Sequence, residues 1–232
     1  MIQNIKNNIK KNKNFFWVVI PAFNESKTIG KVLEKTMLFS DNIIVVNDGS
    51  ADTTSEIAKE KNVIVLDHAV NLGKGAALKT GCDYAIKLGA EIIVAMDADG
   101  QHLPEDIPLI VKRLQETNSD IVFSYRKLNK TMPFILQVGN IIISGITNFL
   151  YNINIKDSQC GFRCFTAEAY KKIRWQANDY SMESEMIAHT GKNKLKYAEL
   201  HIQTIYLDKY KGTTVLDGVK VVLYMLWWRL LR

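Results

Sequence analysis

Near-continuous runs of apolar residues, most of them rich in valine and isoleucine and spaced by helix-length segments, constrain this chain more than any other feature. Five lie before Tyr125: Phe16–Ile20, Ile43–Val46, Val63–Leu66, Ile92–Ala95 and Ile121–Phe123. Such runs do not alternate apolar with polar residues, which is the pattern of parallel strands covered on both faces. Between them the spacing predicts helices over 28–39, 53–61, 75–88 and 104–116. The second opens with Thr53 followed by Glu56, a capping-box pattern, and the fourth has Pro104 in its first turn. Strand and helix alternate, so the expected class is α/β, an open and mostly parallel sheet with helices on both faces.

After Tyr125 the rhythm changes. The sequence predicts a long helix over 133–150, a short strand over 162–165, helices over 167–173 and 182–190, and a strand over 197–206. With 232 residues, 47% of them hydrophobic, the chain can close one sizeable core. No repeat or low-complexity linker divides it. The expected organisation is a basic arm over 1–14, one domain over 15–214 and an amphipathic helix over 215–232. No run of about 18 apolar residues predicts a spanning helix, and residues 1–14 lack the apolar stretch of a signal peptide. Cys82, Cys160 and Cys164 make no disulfide framework and are expected as reduced thiols in a cytosolic protein.

Ligands of open parallel sheets bind beyond the carboxyl ends of the strands. Polar, turn-forming clusters follow three of the runs: Pro21-Ala22-Phe23-Asn24-Glu25, Asn47-Asp48-Gly49-Ser50 and Asp97-Ala98-Asp99-Gly100-Gln101-His102. Asp97 and Asp99 would repel one another on leaving a buried strand unless a cation sat between them. Hard oxygen ligands suit Mg²⁺ or Mn²⁺ shared with substrate phosphates, and Gln101 offers a further carbonyl oxygen. The plainer alternative is an acidic turn capping the Pro104 helix. Asp48 is placed to accept from a ribose or a base N–H, or to serve the strand-to-helix turn that Asp52 or Thr53 would cap. Asn71-Leu72-Gly73-Lys74-Gly75 is a glycine-containing helix entry suited to phosphate, with Lys74 either touching it or solvated. It matches neither the dinucleotide fingerprint nor a Walker loop.

Taken with Asp157-Ser158-Gln159-Cys160-Gly161-Phe162-Arg163, the segments 20–25, 46–50, 71–81 and 97–102 resemble, in order, the motifs of family 2 glycosyltransferases. The resemblance is to the polyprenyl-phosphate branch that includes dolichyl-phosphate mannose and glucose synthases, and it runs from about Phe16 to Asp217. It implies a GT-A fold, a nucleoside-diphosphate sugar donor and a divalent metal. By matching position it implies Asp97, Asp99 and Gln101 as metal ligands, and Pro21, Glu25 and Asp48 as nucleoside contacts, with Asn24 beside Glu25 in the same turn. Arg126 matches the branch's Ser-Arg position, with Tyr125 where a small residue is usual, and Arg163 closes the Gly-Phe-Arg segment. Guanidinium groups grip phosphate bidentately, so this pair is expected on a lipid phosphate or the donor diphosphate. Many relatives carry a further arginine where this chain has Leu136 and Gln137. Glu183 and Glu185 match the acidic segment behind the sugar site, where they would orient sugar hydroxyls or act as general base; the alternative is a solvated helix start.

The expected activity is inverting transfer of a hexose to a polyprenyl phosphate. A glycosyltransferase acting on a saccharide hydroxyl and a non-catalytic sugar-nucleotide-binding protein are the alternatives. The net charge of +6 is concentrated in Lys6, Lys10, Lys11 and Lys13 and in the last 24 residues, a distribution that suits an anionic membrane surface. The apolar segment 215–232, with Trp227, Trp228 and Arg229, suits an interfacial helix, or one packed on the core or in a homo-oligomer. The expected location is therefore cytoplasmic, peripheral on the membrane. No basic-aromatic groove predicts nucleic-acid binding, and Lys171 to Trp175 only partly mimics the motif of processive polysaccharide synthases.

Overall fold

The computed structural model describes residues 16–126 and 134–203; the basic arm, the end of the strand expected over 197–206 and the segment 215–232 lie outside them. The strands are β1 (Phe16–Ala22), β2 (Ile43–Asn47), β3 (Ile64–Asp67), β4 (Ile92–Ala95), β5 (Ile121–Arg126), β6 (Arg163–Thr166) and β7 (Tyr197–Ile202). The helices are α1 (Ile29–Thr36), α2 (Thr54–Lys59), α3 (Lys74–Lys87), α4 (Ile107–Thr117), α5 (Phe134–Tyr151), α6 (Ala167–Ile173) and α7 (Met182–Lys192). The strands form one sheet in the order β3-β2-β1-β4-β6-β5-β7.

Successive residues of a strand point to opposite faces, so the continuous apolar runs feed two cores. Trp17, Val19, Ile44, Val46 and Ile93 face one, beneath α3, α5, α6 and α7. Phe16, Val18, Ile20, Val45 and Val94 face the other, beneath α1, α2 and α4. Gly81 lets α3 lie directly on the sheet: a β-carbon there would stand 2.3 Å from Val19 Cγ1 and 3.0 Å from Val46 Cγ2.

Three expectations are corrected. β3 is only half-buried, as an edge strand with one neighbour, rather than a core strand. The helix over 104–116 divides into a 3₁₀ turn, Pro104–Asp106, and α4. The capping box is not made: the Thr53 side chain caps nothing, and Asp52 Oδ1 instead accepts from Thr54 N at 3.0 Å.

The chain runs outward from β1 through β2 to β3, then returns so that β4 lies on the other side of β1. That reversal opens a crevice between the loops after β1 and β4. β6 alone runs antiparallel to its neighbours, with Arg163 beside Ala95 and Phe123. The loop 157–162 therefore reaches the same edge as the loops leaving β4 and β5.

Candidate active site

The loops after β1 and β2 are braced to each other before any ligand arrives. Asn24, in the left-handed region at φ 54°, receives a bond at Oδ1 from Ala51 N (2.9 Å) and donates from its own N to Ser50 Oγ (2.9 Å). Glu25 N donates to Thr54 Oγ1 (2.8 Å), and the Glu25 carboxylate accepts from Thr28 Oγ1 (2.9 Å). Pro21 is buried within β1, paired with Val46, and the loop that follows exposes Phe23 and Asn24, with Glu25 half-buried beside them. Asp48 is also corrected. Its carboxylate is buried and already accepts from His68 Nδ1 (2.7 Å), Leu72 N (3.0 Å) and Gly73 N (2.8 Å). It shapes the 68–73 loop rather than facing a nucleoside.

The carboxylates after β4 sit in the crevice. Lys74 Nζ, at the start of α3, lies 2.8 Å from Asp97 Oδ1 and 3.0 Å from Glu183 Oε1, with the Tyr180 ring centroid 5.5 Å away. Burial pushes the Lys74 ammonium toward neutrality, but the two carboxylates override it and hold its pKa above the ordinary value. Burial raises Asp97 too, and the charge and hydrogen bond of Lys74 outweigh that, so its carboxyl titrates below the usual range. Asp99 has no such partner. Burial, and then the charge of Asp97, push it up to about 6, while Gln101 N donates to its Oδ1 at 2.9 Å. His102 is buried, accepts at Nδ1 from Asp97 N (3.3 Å), and is pulled down by burial to about 4, which keeps it neutral.

The helix entry proves to be no free phosphate cradle. Two amides in the first turn of α3, those of Gly75 and Ala76, donate to the Asn178 carbonyl (2.7 and 3.3 Å), and Trp175 Nε1 donates to Gly75 O (2.8 Å). Gly73, at φ 96°, admits this approach; a β-carbon there would stand 2.2 Å from Asn178 O. Lys74 is thus neither solvated nor on an open phosphate site, but bound to carboxylates.

On the β5–β6 side the two arginines part. The Arg126 guanidinium faces Asp157 in a fork, Nε to Oδ2 at 2.7 Å and Nη2 to Oδ1 at 3.0 Å, and its charge reaches Asp97. Arg163 is 1% exposed and donates to the carbonyls of Ser158 (2.8 Å), Cys160 (2.9 Å) and Glu183 (2.7 Å). A guanidinium so enclosed holds the loop to α7 and has no face left for phosphate, which corrects the expectation for Arg163. Glu185 is corrected as well. It is buried, and it accepts from Gln176 N (3.0 Å) and Ala177 N (2.8 Å) and pairs with His189 (3.3 Å). Glu183 remains in the crevice, with Oε2 buried and unpartnered among the described residues. The sequence reading gave no role to His102, Asp157 or Tyr180. Asp157 and His102 lay inside quoted motifs, whereas Tyr180 is placed by its approach to Lys74 from across the chain.

The residues present fit a hard divalent cation. Asp97 and Asp99 are oxygen donors in one turn, and the charge of Asp97 helps to raise Asp99. Among the described residues no three His, Cys, Asp or Glu side chains form a complete metal cage. That suits Mg²⁺ or Mn²⁺, which keep waters and take oxygens from a bound diphosphate. The cysteines are buried free thiols, and burial pushes Cys160 up to about 12.

Comparison with known proteins gives the family and the fold. The family model described as "Glycosyl transferase family 2" matches residues 17–174. A UDP-N-acetylglucosamine–dolichyl-phosphate N-acetylglucosaminyltransferase of Methanococcus voltae is 37% identical over 231 residues, covering 88% of this chain and 92% of its own. An uncharacterised protein of Methanocaldococcus jannaschii is 40% identical over 220 residues, covering 91% of this chain and 90% of its own. Among solved structures, the Mycobacterium tuberculosis glucosyl-3-phosphoglycerate synthase in complex with Mn²⁺ and UDP-glucose superposes with a TM-score of 0.74 at 20% identity, over 99% of this chain and 83% of that one. At that identity the likeness shows the fold, which is GT-A. With its motifs at the strand ends, its sheet and its family match in agreement, this chain belongs to glycosyltransferase family 2 and is a glycosyltransferase.

Proposed function

We propose that the chain moves a hexose, or its N-acetylamino derivative, from a UDP-sugar to a polyprenyl phosphate with inversion at the anomeric carbon. The observation that carries this reading is the crevice at the β1–β4 reversal. There Asp97, Asp99, Lys74 and Glu183 converge, and the charge of Arg126 reaches Asp97. The Methanococcus voltae relative, named for a UDP-sugar donor and a dolichyl-phosphate acceptor, supports it.

Asp97, Asp99 and the side-chain oxygen of Gln101 would hold Mg²⁺ or Mn²⁺, which supplies positive charge against the departing diphosphate. Asn24 and Glu25 border the nucleoside end. Glu183 Oε2, buried without a donor, accepts a hydroxyl of the donor sugar and fixes the ring. Arg126, oriented by Asp157, offers charge to the acceptor phosphate. That phosphate, with a second pKa of about 6, is already an anionic nucleophile at neutral pH, so no side chain need remove a proton. Its oxygen bonds to the anomeric carbon as the bond to the diphosphate breaks, in one displacement.

On this reading the enzyme works as a peripheral protein at the cytoplasmic face of a membrane. α5 supports this: it carries no charged residue and exposes Ile141, Ile142 and Phe149. No described helix is long and apolar enough to cross a bilayer. The test is incubation of the chain with UDP-sugars, Mn²⁺ and polyprenyl phosphates, reading sugar in the lipid phase and the anomeric configuration of the product. Formation of a lipid-linked sugar of inverted configuration is expected. Transfer confined to free saccharides, with polyprenyl phosphates inert, would overturn the reading.

A further inference from the structure

Lys74 closes a chain of charges across the crevice. Its ammonium lies 2.8 Å from Asp97 Oδ1 and 3.0 Å from Glu183 Oε1, and its side chain is 18% exposed. The backbone closes over this group at Gly161, where a β-carbon would stand 2.8 Å from Asp97 Oδ2 and 2.9 Å from Lys74 Nζ. Asp97 is also the carboxylate that the proposed function assigns to a divalent cation. An ammonium and a divalent cation that both sought Asp97 at bonding distance would repel one another across a half-buried site.

We propose that Lys74 is the resident countercation of the free enzyme and must leave Asp97 before a divalent metal binds there. The released ammonium keeps Glu183 but loses one of its two carboxylates, and a nucleoside diphosphate replaces the lost negative charge, so metal and nucleotide bind together more tightly than either alone. The reciprocity is thermodynamic: whatever the nucleotide adds to metal affinity, the metal adds to nucleotide affinity. This order keeps the carboxylates neutralised while the site is empty. The inference rests on the metal reading above and adds to it the lysine that opposes the metal.

The test measures Mn²⁺ binding by electron paramagnetic resonance, with and without UDP, for the wild-type chain and Lys74→Met. Without nucleotide, Lys74→Met should bind Mn²⁺ at least about tenfold more tightly than wild type, because one close positive charge has been removed. UDP should improve Mn²⁺ affinity in wild type and do so far less in the variant. Equal or weaker Mn²⁺ binding by Lys74→Met would overturn the countercation role while leaving the metal site standing. A wild-type chain that binds no Mn²⁺ at any UDP concentration would overturn both. Should Lys74→Met fail to fold, the wild-type chain gives a second measure, the rate at which Lys74 is acylated, read by mass spectrometry. Mn²⁺ alone should speed that labelling several-fold, and unchanged or slower labelling would overturn the proposal.

Discussion

Arg163 donates to three backbone carbonyls at 1% exposure, while Arg126 forks onto the Asp157 carboxylate at the end of β5. In the sequence the two stand alike, each an arginine beside a strand, and only the environment separates them. Arg163→Met leaves those carbonyls without donors inside the core and should cost about 3 kcal/mol or more, measured by urea denaturation. Lysine should not rescue it, since a single ammonium does not span three carbonyls as a planar fork does. Asp67 carries a second prediction. Lys59 Nζ (2.7 Å), Ser55 Oγ (2.6 Å) and Asn47 Nδ2 (2.9 Å) donate to it and hold its pKa down to about 2. A carboxyl lowered by folding contributes stability that is complete above its unfolded value of about 4 and is lost as pH falls through about 2. Asp67→Asn should therefore lower the melting temperature by about 1–3 °C at neutral pH, a small effect because the pair is half-exposed. Thermal melts should show that gap shrinking between about pH 4 and pH 2.

α3 shows how far local pattern reaches. Its position and length were legible, within a residue at each end, from the glycine-bearing entry and the residues that follow. What its first turn does was not. The expected phosphate contact gives way to the Asn178 carbonyl, because a segment far along the chain reaches the amides of Gly75 and Ala76 first. The same helix shows why a glycine stands at position 81, against Val19 and Val46. Gly81→Ala would force stiff, β-branched side chains of two buried strands apart and should cost about 1–3 kcal/mol in urea denaturation, outweighing alanine's better helix propensity. The Asp97–Asp99 turn was legible because continuous apolar residues mark a buried strand and ligands gather at its end. The direction of β6 was not, since four residues carry no mark of which way they pair.

Across the whole molecule, the two halves of the chain meet at the start of α3. Glu185 holds Gln176 N and Ala177 N, and that segment delivers the Asn178 carbonyl to Gly75 and Ala76 and the Trp175 indole to Gly75 O. Glu185→Ala should loosen the segment and speed hydrogen exchange at the Gly75 and Ala76 amides at least about tenfold, a loss of about 1.4 kcal/mol or more in local opening. Amides in the middle of β1 should be spared, which native-state exchange read by mass spectrometry or NMR resolves. The sequence placed Glu185 among catalytic candidates because an acid on a helix start looks the same whether it faces a ligand or a neighbouring backbone. The reversed strand β6 has a consequence for how the protein is made. β4 and β5 share no ladder of their own, since residues 163–166 are threaded between them. On a ribosome, β1 to β4 can pair as they emerge, but β5 must wait for a strand translated some forty residues later. The β1–β4 side of the crevice is thus paired first, and the β5–β6 side docks onto it later, bringing the Asn178 carbonyl that completes the start of α3.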